Sequence, residues 1–266
     1  MDFVYTLAGL GVGIVVGLTG VGGGSLMTPL LVLLFGVSPA TAVGTDLLYA
    51  AITKAGGVAV HGIKKTIDWK IVGWLAAGSV PASLLVVLFL ANQKSAAVAG
   101  ASRAAGFSTI FSFSLGIMLL LTALALIFRK SLQKWAANAR PEPISAHRKP
   151  LATVLLGAFI GVAVSLSSVG AGAVGVTALI LLYPKLPMAR VVGTDIAHAV
   201  PLTLIAGLGH ASLGHVDWTL LGSLLLGSLP GVAVGSLLAS KLPDFFIRHA
   251  LVFLLLIIGG KLVFIR

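Results

Sequence analysis

The chain has 266 residues, 58% of them hydrophobic and 9% charged, with a mean hydropathy of +1.10 and a formal net charge of +11. Soluble domains carry about 25% charged residues, so a water-soluble fold is excluded, and the basic residues lie in short connections between apolar runs, where they orient a membrane protein rather than bind nucleic acid. Zero cysteines exclude disulfides, thiolate metal sites and cysteine nucleophiles.

The first apolar run, 3–19, follows Asp2 instead of a basic stretch and meets no small-residue cleavage pattern, so it reads as a retained segment rather than a signal peptide. Runs at 25–36, 42–60, 71–91 and 107–128 follow, then a basic linker at 129–150 holding Pro141 and Pro143. A second set covers 151–168, 173–183, 190–209, 218–240 and 245–265. The longer runs have the roughly 20 residues that a helix needs to cross about 30 Å of hydrocarbon. In each set the second run is short, so it forms a hairpin or a broken pair with the first.

These two sets are a tandem duplication. Val43-Gly44-Thr45-Asp46 returns as Val192-Gly193-Thr194-Asp195, and the same offset of 149 pairs His61 with His210, Asp68-Trp69 with Asp217-Trp218, and Gly78-Ser79-Val80-Pro81 with Gly227-Ser228-Leu229-Pro230. Upstream, Val21-Gly22-Gly23-Gly24 aligns with Val169-Gly170-Ala171-Gly172, and Pro39 with Pro187, at an offset of 148. A one-residue insertion or deletion is therefore expected between Pro39 and Val43.

A hairpin followed by three crossings makes the number of crossings in each half odd, and the halves then face opposite ways. Thirteen lysines and arginines fall on one side against four on the other, with Lys54 on neither; parallel halves would give eleven against six. The positive-inside rule favours inversion. Residues 61–67 carry Lys64 and Lys65 while the equivalent 210–216 carry no lysine or arginine, which points the same way. The expected architecture is an all-α polytopic membrane protein of two inverted-topology repeats, 1–128 and 151–266, each a broken helical hairpin plus three transmembrane helices, with eight to ten membrane segments. Both termini are expected outside and the linker in the cytoplasm.

Chemistry is expected where the first hairpin breaks. Glycines in Thr19-Gly20-Val21-Gly22-Gly23-Gly24-Ser25-Leu26 cost a helix about 1 kcal/mol each relative to alanine. Broken helices at membrane depth are tolerated where they are buried in protein or line a cavity, and they build transporter sites near the midplane. A helix starting near Ser25 would aim its free N–H groups and positive dipole end at the break, which suits an anion. The equivalent segment offers Ser165, Ser167, Ser168, Gly170 and Gly172. A nucleotide loop is excluded, since no Lys-Ser/Thr follows the glycines. Gly9, Gly13, Gly17, Gly231 and Gly235, at GxxxG spacing, are expected to pack helices closely.

Ionisable residues inside the apolar runs are few: Asp46, Lys54, Asp195 and His198, with His61 and His210 near the borders. Each is costly in lipid and needs a partner or water. Asp46 and Asp195 either meet substrate or brace the broken helices. Lys54 aligns with Thr203 and so exists in one half only, either neutralising a negative substrate or pairing with Asp46 or Asp195. His198, aligned with Tyr49, is a hydrogen-bonded packing residue or a proton relay. Asp68, Asp217, Trp69, Trp218, His61 and His210 are expected to anchor helix ends.

The pattern G-x-x-G-V-G-G-G-S over 17–25, the Val-Gly-Thr-Asp some twenty residues on, and their weaker return in the second half resemble the TauE/SafE family of sulfite and organosulfur anion exporters. The resemblance covers most of both halves. It implies a secondary transporter of sulfite, sulfoacetate or a related small oxyanion in the bacterial inner membrane, with no cofactor or metal and no enzymatic activity. Gly20, Gly22, Gly23, Gly24, Ser25, Thr45, Asp46, Thr194 and Asp195 stand in the motif positions. Ala171 and Ala173 depart from the pattern in the second half. The expected partners are a small anionic substrate and membrane lipid, and a homo-oligomer is compatible with them. An anion channel of the same architecture, or a proton- or cation-coupled carrier of another small solute, are the alternatives.

Overall fold

The computed structural model describes residues 3–19, 24–98, 102–138, 148–170, 172–238 and 244–264. Among them every regular element is helical: α1 (Phe3–Thr19), α2 (Gly24–Leu33), α3 (Pro39–Ile63), α4 (Trp69–Val98) and α5 (Ser102–Asn138), then α6 (Lys149–Ser167), α7 (Ala173–Leu182), α8 (Met188–Ser212), α9 (Trp218–Leu238) and α10 (Asp244–Phe264). Four stretches, Trp69–Gln93, Lys149–Ser167, Met188–Ser212 and Trp218–Gly235, are long and apolar enough to cross a membrane. At 1.5 Å per residue, α2 and α7 reach only about 15 Å, half of the hydrocarbon thickness. Helix α5 continues through Asn138, so the first part of the basic linker, 129–138, is helical.

Helix bounds relocate the one-residue shift between the halves. Helices α2 and α7 correspond at an offset of 149, as α3 and α8 do from Pro39 and Met188 onward, while α1 and α6 end at Thr19 and Ser167, an offset of 148. Ser38 and Pro187, which precede α3 and α8, share φ of −56° and ψ near 140°. Contrary to the alignment of Pro39 with Pro187, the extra residue lies in the break of the second half, between Ser167 and Ala173. A turn absorbs an insertion that a packed helix start cannot.

The halves interlock. Helix α1 packs along α9, and its equivalent α6 packs along α4, so each half lends its first helix to the other; α3 packs on α8 and α5 on α10. Small residues permit the approach. A Cβ on Gly9 or Gly13 would lie under or at 3.0 Å from the backbone of Leu224 or Ser228, and one on Gly157 or Gly161 would meet Leu75 or Ser79 in the same way. Gly231 and Gly235 sit equally close to the backbone of α1 around Leu10 to Ile14, as their GxxxG spacing predicts. The side-chain environment of Gly17 lies outside the described residues.

Helix ends are held by the groups expected to anchor them. The Asp68 carboxylate accepts from the Lys70 and Ile71 amides at 3.1 and 3.3 Å, and that of Asp217 from Leu220 at 2.9 Å, satisfying donors that the first turn of a helix leaves free. Trp69 and Trp218 are 63% and 64% exposed, free to lie at a membrane interface. His61 closes the α3–α4 turn through Thr66 Oγ1 at 2.7 Å. Lys65 and Gly214, equivalent in the repeat, take φ of 52° and 72° in the two turns.

Candidate functional site

Helices α3 and α8 cross at the centre of the molecule. Ile196 lies against Gly57 and Leu48 against Gly207, so the two run antiparallel. Both carry the Val-Gly-Thr-Asp motif, and each of its last three residues has a definite task. A Cβ on Gly44 would fall under 3.0 Å from the carbonyl oxygen of His215, and one on Gly193 would do the same to Thr66. The Thr45 hydroxyl accepts from the Asp217 amide at 3.1 Å, and Thr194 from Asp68 at 3.0 Å. Gly and Thr thus clamp each motif onto the turn that starts a helix of the opposite half. Only the aspartates are left to face the centre.

Asp46 and Asp195 are almost wholly buried, at 0% and 3% exposure. Thr28 Oγ1, on α2, donates to Asp46 Oδ2. Asp46 Oδ1 has no hydrogen bond of ordinary geometry, nor has the hydroxyl of Ser168, which lies beside the Asp46 carboxyl. Asp195 Oδ1 presses on the backbone of Gly175 in α7, where a Cβ would collide with it. Lys54, two turns beyond Asp46 or about 12 Å along the helix, is half-buried and within electrostatic reach of both Asp195 and Asp46. It is the cation that the two carboxylates share.

Serines extend this centre. His198 Nε2 bonds Ser79 Oγ at 2.8 Å while its Nδ1 is buried without a partner. Tyr49, its counterpart in the repeat, faces Ser228, the counterpart of Ser79, without a hydrogen bond of ordinary geometry. Ser165 donates to Ser83 at 2.8 Å, and the Ser165 carbonyl contacts His210 Nε2 at 2.9 Å. No group of three or more histidine or acidic side chains that could hold a metal ion occurs among the described residues.

The two breaks flank the crossing. In the second half α6 ends at Ser167, and Ser168 turns left-handed with φ of 57°, its amide bonded to the Val164 carbonyl. Gly170 has φ of 116°, and Gly172 precedes α7 as its cap. The Gly175 and Val176 amides bond to the Gly170 and Gly172 carbonyls, so the turn itself satisfies part of the α7 start. In the first half α1 ends at Thr19 and α2 begins at Gly24; Gly20, Gly22 and Gly23, and the side chain of Ser25, lie outside the described residues.

The structure therefore gathers Asp46, Lys54, Ser168, Asp195 and His198 around one crossing, while Thr45 and Thr194 are hydrogen-bonded to the helix starts beside it. Sequence reasoning missed Thr28, Gly175 and the two motif serines. Ser79 and Ser228 had a signal in the repeated Gly-Ser-x-Pro, and Tyr49 in its alignment with His198; Thr28 and Gly175 had none, because their contacts span the loop between a short helix and the next long one.

Residues 5–262 match the model of the family described as sulfite exporter TauE/SafE. The chain belongs to the TauE/SafE family. Among its relatives are two proteins of Bacillus subtilis (strain 168), both called probable membrane transporter proteins. YjnA is 40% identical over 99% of this chain and 100% of its own length; YdhB is 27% identical over 94% and 95%. No solved structure matches the chain. Like other TauE/SafE members it is a transmembrane protein of a transporter family, and its apolar helices suit that setting.

Proposed function

We propose that this TauE/SafE member is a secondary transporter that exports a small oxyanion, such as sulfite or an organosulfonate, across the plasma membrane, by alternating access of two inverted halves around the α3–α8 crossing. The observation that carries the reading is Lys54. A cation unique to one half lies within electrostatic reach of two buried carboxylates, one of which neighbours the serine hydroxyl at the break of the second half. Partial burial strengthens its attraction for an anion, because water screens it less than it screens a fully exposed charge.

Inversion is supported by the direction of equivalent helices. Helices α3 and α8 run against each other, and in α5 and α10 Gly116 meets Val263 while Gly259 meets Leu120, again an antiparallel pairing. A two-fold axis perpendicular to the helices gives that arrangement, whereas parallel repeats would run such pairs in the same direction. Together with the lysine and arginine bias, it supports both termini outside and the connection after α5 in the cytoplasm.

The test is direct binding of sulfite, sulfate, methanesulfonate, sulfoacetate and simple carboxylates to the purified protein. Saturable binding of a sulfur oxyanion is expected. Binding of an unrelated solute, with none of any sulfur anion, contradicts the assignment.

A further inference from the structure

The ionisable groups at the crossing do not balance for an anion. Two carboxylates, Asp46 and Asp195, face one ammonium, Lys54, so with all three ionised the centre is negative before any substrate arrives. Lys54 lies within electrostatic reach of both carboxylates, and one ammonium neutralises only one of them. Asp46 is the carboxylate left short of partners. Its Oδ2 is satisfied by Thr28, but its Oδ1 is buried with no partner, and an orphaned carboxylate oxygen pays the desolvation cost with nothing in return.

Ser168 supplies an independent observation. It is a non-glycine residue in the left-handed region, with φ of 57° and 4% exposure, a conformation that serine adopts at a cost and that gathers at ligand sites. Its hydroxyl lies beside the Asp46 carboxyl without a hydrogen bond of ordinary geometry. A buried carboxyl oxygen and a neighbouring buried hydroxyl are thus both left without a satisfied hydrogen bond.

We propose that their common partner is an oxyanion oxygen and that one proton lies between it and Asp46 Oδ1, so that each anion crosses together with one proton. The inference rests on the oxyanion reading above. Whether the proton arrives on the carboxyl or on the acid form of the anion, the contact is the same O–H···O hydrogen bond, short and strong when one partner is charged. Without that proton, carboxylate and anion repel each other. Ser168 donates a second hydrogen bond to the same anion, and Lys54 lies on the far side. On release outside, the anion departs and the proton leaves Asp46 Oδ1 for water, so one proton and one anion are moved and no bond to the anion is made or broken.

The groups around Asp46 permit this assignment. On α3 itself Lys54 faces it, and the Tyr49 phenol senses its charge. From α8, Asp195 and His198 face Lys54, while His210 is turned to the Ser165 carbonyl. Helices α2 and α9 carry no ionisable residue, α6 carries only Lys149 at its start, and the described side chains of α5 beside the crossing, 112–128, include none.

Proteoliposomes holding the full chain decide it, with methanesulfonate as the probe, because this anion does not itself titrate near neutral pH. In the wild type a pH gradient of one unit drives accumulation of the anion on the alkaline side to about tenfold, since protons flow from acid to alkaline and one unit is a factor of ten in proton activity. An imposed membrane potential leaves that flux unchanged, because one proton cancels one negative charge. In Asp46→Asn, whose amide holds no titrating proton, the pH gradient no longer drives accumulation, and the flux that remains becomes sensitive to potential. Wild-type flux that ignores the pH gradient overturns the inference, as does an Asp46→Asn variant that keeps the tenfold accumulation. The wild-type measurement stands whether or not the variant folds. If the wild type moves neither methanesulfonate nor sulfite, the oxyanion reading falls and takes this inference with it; flux without proton coupling overturns the inference alone.

Discussion

The Val-Gly-Thr-Asp motif divides its work residue by residue. Valine is core, at 0% exposure for Val43; glycine admits a carbonyl of the opposite half, threonine caps that half's next helix, and aspartate faces the crossing. Gly193→Ala is expected to destabilise the protein by about 1–3 kcal/mol, the usual cost of forcing a group into a packed contact, because its new methyl meets the Thr66 carbonyl oxygen and the His61 ring. Thr45→Val takes away the acceptor of the Asp217 amide at the start of α9 and is expected to cost about 0.5–1.5 kcal/mol. Thermal unfolding in detergent reads both, and unchanged transitions contradict the assignment of these residues to bracing. From the sequence, the recurrence of this motif marked it as important and the burial of its aspartates followed from their apolar surroundings. What threonine and aspartate each bond was not legible, since the partners Asp68, Asp217 and Thr28 come from elements that only the fold brings near.

At the scale of elements, glycine spacing predicts packing where a neighbour exists and says nothing where none does. Gly157 in α6 lies on the backbone of Leu75 in α4, whereas Gly73 in α4 has open space around it. Gly157→Ala should therefore lower stability. Gly73→Ala should be neutral or raise it by up to about 1 kcal/mol through helix propensity alone. A reversed order of the two in thermal unfolding contradicts the packing described for α4 and α6. The long apolar runs and the short second helix of each half could be read in the chain because length and hydropathy determine them. The reach of α5 to Asn138 could not, since Arg129 to Asn138 is polar and a charged helix leaving an apolar one has no hydropathy signature. Nor could the site of the one-residue insertion, which the matching prolines Pro39 and Pro187 disguised.

For the whole molecule, interlocking of α1 with α9 and α6 with α4 makes the two halves one unit, and the proposed inversion gives that unit an outside and an inside. A reporter that is active only in the cytoplasm should be silent when fused after Arg266 and active when inserted in the 139–147 connection; the opposite pattern contradicts the orientation. Inverted repeats were expected from charge placement, but the exchange of first helices between halves was not, because hydropathy records which segments are buried in the membrane and not which neighbour each one chooses. The central claim is that Lys54, between Asp46 and Asp195, attracts the transported anion. Sulfite flux in proteoliposomes of Lys54→Ala, compared with wild type and with Lys54→Arg at matched folded amounts, tests it most directly. At least a tenfold loss in the alanine variant, partly restored by arginine, is the result predicted; equal flux in alanine variant and wild type would contradict it.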